Sequence, residues 1–148
     1  MNKIDRPKAS TRYDKDFALW CAEQGAALRA GRLQAIDRMH LAGEIEGLGG
    51  SDEDQIGSRL NVLLIHLLKW RYQPSMRSSG WRGTIGEQRY RIARVLKRSP
   101  SLGAFPGEVL EDEYRTARLL AAGETGLAEH VFPETCPFTV EQVLNDSF

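Results

Sequence analysis

Seven consecutive residues, Val62 to Leu68, are apolar at every position except His66. The pattern keeps a helical period on either side. Ile56, Leu60, Leu63, Leu67 and Trp70 fall on one narrow stripe, while Val62, Ile65 and Leu68 cover the other sides. A helix that is apolar all round has no face to offer water, so it belongs inside a bundle or in an interface between chains. The run is far too short for the roughly 20 residues of a membrane span. Pro74 stops this helix, because the residue before proline is pushed out of the helical region.

The rest of the chain also reads as helix, with sparse β-branched residues and no sustained alternation. A first helix is expected from about Asp14 to Ala30, with Phe17, Trp20, Gln24 and Leu28 on one face and Gly31 as its stop. A second is expected over Ala35 to Leu48, ending at Gly49-Gly50. Ser51 with Asp52, Glu53 and Asp54 reads as the cap and acidic first turn of the central helix. A fourth covers Trp81 to Lys97 and a fifth Gly107 to Ala122, with Gly123 as its cap. Glu124 to Pro137 reads as an irregular strap, and Thr139 with Gln142 as a capping box opening a last turn through Leu144. The expected fold is all-α: an antiparallel bundle of four to five helices with a short C-terminal helical turn. One domain is expected over residues 1–148, with residues 1–12 as a flexible tail.

Charge is unevenly spread along a chain whose net charge is zero. Lys69 to Arg98 holds nine basic residues against one acid, whereas Ser99 to Phe148 holds nine acids against two arginines. Such polarity attracts a partner or satisfies itself internally. Cys21 and Cys136 stand far apart in no metal-binding or redox spacing. The first residues lack the apolar segment of a secretory signal. A cytoplasmic protein without a membrane anchor is expected.

Several motifs together resemble a known family. They are Tyr13-Asp14-x-Asp16-Phe17 with Trp20, Glu44-Ile45-Glu46 before Gly49, and His66-Leu67-Leu68-Lys69-Trp70. Trp81 with Gln88-Arg89, Ser99-Pro100-Ser101-Leu102 and Phe132-Pro133-Glu134-x-Cys136-Pro137 complete the set. The chain resembles, from about Tyr13 to Leu144, the bacterial family known as domain of unknown function number twenty-nine. The resemblance implies an all-helical fold and no particular activity, substrate or cofactor; Trp20, Trp70 and Trp81 are its structural signature. Two features depart from the family pattern. Gly43 stands where a second acid usually precedes Glu44, and Gly83 and Gly86 occupy helix four, which suggests close packing or a kink there.

Three kinds of site can be read from the residues. Asp37, His40 and Glu44 recur at i, i+3 and i+7, and His66 and Glu46 would join them if helices two and three packed antiparallel, giving a metal site of the kind built inside bundles. The structural alternative makes His66 a core histidine donating to Glu44 or Glu46. Arg82, Arg89, Arg91 and Arg94, interleaved with aromatic residues, are candidates for binding an anion or nucleic acid. Here the structural alternative pairs the arginines with Glu108, Glu111, Asp112 and Glu113, and puts Trp70 and Trp81 in the core. No nucleophile, phosphate loop or dinucleotide motif is present, so no catalytic residue and no cofactor is assigned. The remaining class is a small helical interaction module, acting on a protein partner or as a homodimer.

Overall fold

The computed structural model describes residues 12–148. Among the described residues the regular structure is entirely helical, as the periodicity requires. The chain divides between Gly49 and Gly50 into two compact units. The flexible tail expected over residues 1–12 falls outside the described residues up to residue 11, and Arg12 opens the first helix.

The amino-terminal unit contains α1 (Arg12–Lys15), α2 (Phe17–Arg29) and the beginning of α3 (Arg38–Tyr72). The single helix expected over Asp14–Ala30 is interrupted at Asp16. That residue leaves the helical region and caps α2, its carboxylate accepting from the Leu19 amide at 3.0 Å. The end of α2 is a Schellman motif. Gly31 takes φ +69°, the Arg32 amide donates to the Ala27 carbonyl, and the Gly31 amide donates to the Leu28 carbonyl. Glycine is needed here because a side chain is strained at that φ.

The largest correction concerns α3. A stop at Gly49-Gly50 and a fresh cap at Ser51 are not formed; residues Arg38–Tyr72 make one helix of 35 residues. Glycine lowers helix propensity by about 1 kcal/mol relative to alanine but does not break the hydrogen-bond ladder as proline does. Neither Gly49 nor Gly50 takes a positive φ. Asp52 is no first-turn cap either. It is buried, receives a hydrogen bond from the Ser99 hydroxyl at 2.6 Å, and pairs with Arg98.

The carboxy-terminal unit is the antiparallel bundle. The second part of α3 packs with α4 (Ser79–Arg98), α5 (Phe105–Thr125) and the short α6 (Val140–Leu144). Leu60, Leu63, Leu64 and Leu68 have no exposed surface, and Ile65 and Leu67 almost none. Ile85, Ile92, Leu110, Tyr114, Ala117, Ala121, Phe132, Phe138 and Val143 close around them. This fulfils the demand of the all-round apolar run. Each such leucine contributes about 2 kcal/mol through its removal from water.

Helix α5 overruns its expected end, because Gly123 stays helical and Gly126 (φ +71°) forms the cap instead. The strap beyond it is anchored by side chains of α5. The Tyr114 hydroxyl donates to the Pro133 carbonyl at 2.5 Å, and Arg118 donates to the Phe132 carbonyl at 3.0 Å. Burial pushes the Tyr114 phenol up to about 12. The capping box of Thr139 and Gln142 opens α6 as read. Gly83 and Gly86 are neither close contacts nor a break: a Cβ at either would meet nothing within 4 Å, and α4 is continuous through both.

Candidate functional site

The metal candidates separate by neighbourhood. Asp37 stands just before α3, where its carboxylate faces the His40 amide at 3.4 Å in the manner of a helix cap. The same carboxylate accepts from the Trp20 indole at 3.2 Å and meets His40 Nδ1 at 2.7 Å, while the Asp37 amide donates to the Gln24 side chain at 2.7 Å. The His40 contact, more than any other, holds the Asp37 carboxyl below its ordinary range.

The Tyr13 ring stacks on the His40 imidazole at 4.0 Å, and its hydroxyl donates to Glu44. That bond, above all, raises the Tyr13 phenol. Glu46 is exposed. His66 Nδ1 faces the Val62 carbonyl one turn back at 2.8 Å.

The second and third helices expected from the sequence are one helix, α3. Among the described residues no group of three or more His, Cys, Asp or Glu could hold a metal ion. What the His40–Asp37 pair does, with Trp20 and Tyr13 around it, is knit α1 and α2 to the start of α3.

The four arginine candidates serve three different purposes. Arg82 lies over the Trp70 ring at 5.6 Å, and Arg77 lies over the same ring at 4.8 Å. Lys69 lies over Trp81 at 4.8 Å. Trp70 and Trp81 are therefore half-buried platforms for cations instead of fully buried core residues; Trp20 is the buried one of the three.

Arg89 is buried at 6% exposure and spends its guanidinium on the carboxy-terminal segment. Its Nε donates to the Val143 carbonyl at 2.8 Å, Nη2 to Gln142 at 3.3 Å and Nη1 to the Phe148 backbone oxygen at 3.3 Å. A cation at the end of a short helix satisfies carbonyls that have no helical partner and complements the helix dipole. Burial lowers the Arg89 guanidinium from its usual range, with Asp146 opposing.

Arg91 and Arg94 line one cavity. It measures about 280 Å³ between α3 and α4, with Arg59, Arg98, Gln55 and Val95 completing the wall. The spacing explains the gathering. Arg91, Arg94 and Arg98 recur at i, i+3 and i+7 on α4, and Gln55 and Arg59 at i and i+4 on α3. Sequence reading missed Arg59 because no other lysine or arginine stands on α3 between Arg38 and Lys69. The signal was its spacing from Gln55 and Asp52.

The pairing expected between the arginines and the start of α5 is not the one formed. The basic stretch pairs through Lys69–Glu124 (3.0 Å), Arg91–Glu87 (2.8 Å) and Arg98–Asp52. Glu111 instead accepts from the Cys136 amide at 3.3 Å.

No helix among the described residues is long and apolar enough to cross a membrane. No curated protein and no solved structure matches the chain. The family model described as "Domain of unknown function DUF29" matches residues 12–148, all of the described residues, and the chain belongs to that family.

Proposed function

We propose that this protein is a small cytoplasmic binding module that engages another polypeptide through its amino-terminal unit. One observation carries the reading. Phe17, Leu19, Leu28, Leu33, Met39, Ile45 and Leu48 are all exposed there, Met39 by 79% and Leu33 and Leu48 by 71% each, while Trp20 and Ala27 are its buried apolar residues. A surface that spends large apolar side chains on water in this density marks an interaction site. The free thiols Cys21 and Cys136 suit a reducing compartment.

A second copy of the chain is the occupant to test first, since like apolar faces complement each other in a two-fold dimer. Light scattering across a concentration series should give a mass rising toward the dimer. Met39→Asp with Leu48→Asp should return it to the monomer without lowering helix content. A monomer at every concentration, with unchanged behaviour of the double variant, would count against self-association through this surface.

A further inference from the structure

We infer that the α3–α4 cavity of the carboxy-terminal unit is a binding site for a small anion carrying two or more phosphate groups. The site is independent of the apolar surface proposed above. Four arginines line one concave space, and two of them are already committed, Arg91 to Glu87 and Arg98 to Asp52. The other two are not. Arg59 donates from Nη1 to the neutral Gln88 side chain at 3.4 Å, while its Nε is shut off from solvent with no hydrogen-bond partner. Arg94 contacts the Tyr90 ring, at 5.9 Å, and among the described residues it has neither an ion pair nor a hydrogen bond.

An unsatisfied buried donor on a cation costs free energy, and so does crowding like charges into one concavity. An anion seated among the four arginines relieves the crowding of like charges. The guanidinium fork matches phosphate oxygens in pairs, which lysine would not do. The charge balance favours an anion. Four cations against Glu87 and Asp52 leave two positive charges for the ligand, and Asp54 lines the neighbouring cavity outside the arginine ring. That cavity, of about 470 Å³, shares Gln55 and Arg59 with the first and is floored by Val62. It gives room for an organic group attached to the phosphates. The small volume of the arginine cavity, about 280 Å³, favours a short ligand over a continuous nucleic-acid backbone.

Calorimetric titration of the full chain with inorganic tripolyphosphate tests the assignment, with orthophosphate and a short single-stranded oligonucleotide in parallel. Saturable one-to-one binding of tripolyphosphate is expected, weakened roughly tenfold or more in R94Q. Arg94 is exposed, so that variant keeps its fold. R59Q should weaken binding similarly, with circular dichroism checking that it remains folded, and R115Q, on the exposed face of α5, should bind like the parent. Absence of tripolyphosphate binding overturns the proposal. So does an affinity unchanged in R94Q, orthophosphate binding as tight as tripolyphosphate binding, or binding of the oligonucleotide alone.

Discussion

The two units solve the same problem with different materials. Residues from Leu60 to Leu68 in the carboxy-terminal unit meet side chains from α4, α5, α6 and the strap in a dry core. The amino-terminal unit buries Trp20, Gln24 and Ala27, and is knit mainly by directed contacts: Asp37 with Trp20 and His40, Tyr13 with Glu44, and Tyr13 stacked on His40. Apolar burial is non-directional and accumulates with area. A network of directed contacts stands only while each partner holds its place, since a deserted partner is left unsatisfied. The contrast teaches that one unit of this chain rests on accumulated apolar burial and the other on directed contacts.

The sharpest way to break that contrast is to truncate one leucine in each unit. Leu64→Ala, at a site with no exposed surface, should cost about 3–4 kcal/mol by denaturant unfolding. Leu48→Ala, 71% exposed, should stay within about 0.5 kcal/mol. Equal losses at the two sites would remove the distinction. Next in size is Arg89→Leu, which strands the Val143, Gln142 and Phe148 oxygens. Its cost should be about 2–3 kcal/mol, with faster proteolysis beyond Phe138. Asp37→Ala removes the cap of α3 and the acceptor of the Trp20 indole. A loss of about 1–2 kcal/mol is expected, read as an altered Trp20 environment by indole NMR while the Trp70 and Trp81 signals stay in place.

The smallest effect is one of pH. Asp52 is held below the ordinary carboxylate range by the Ser99 hydroxyl first and by Arg98 second. A group whose folded value is lowered adds stability above its unfolded value, near 3.8, and loses that contribution as pH falls through the folded one. The melting temperature should therefore fall on acidification below about pH 4. D52N should flatten that fall, and an unaltered acid limb would show that other carboxylates dominate it.

How much of this the sequence displayed depended on the kind of force involved. The apolar period announced the bundle, because burial follows a pattern that can be read along one strand of text. Pro74 and the Thr139–Gln142 box were legible because each acts on its own neighbours. Gly49-Gly50 misled, since glycine weakens a helix without ending it, and Ser51-Asp52 imitates a cap while Asp52 pairs with Arg98, 46 positions away. The site followed the same rule. Arg91 and Arg94 could be picked out from their helix, whereas Arg59 joins them only through tertiary packing, and Arg89 looked like its neighbours until its three backbone partners were in place.

Native-state hydrogen exchange across the whole chain tests the central claim most directly. Amides of α2 should exchange at least a hundredfold faster than those of Leu60 to Leu68, equivalent to about 2.7 kcal/mol or more between local and global opening. α6 should be protected alongside the carboxy-terminal core through its Arg89 anchor. Uniform protection of α2 and the α3 core in the isolated monomer would contradict the account, because the amino-terminal unit would then be stable without the apolar core it lacks or the partner it is proposed to need.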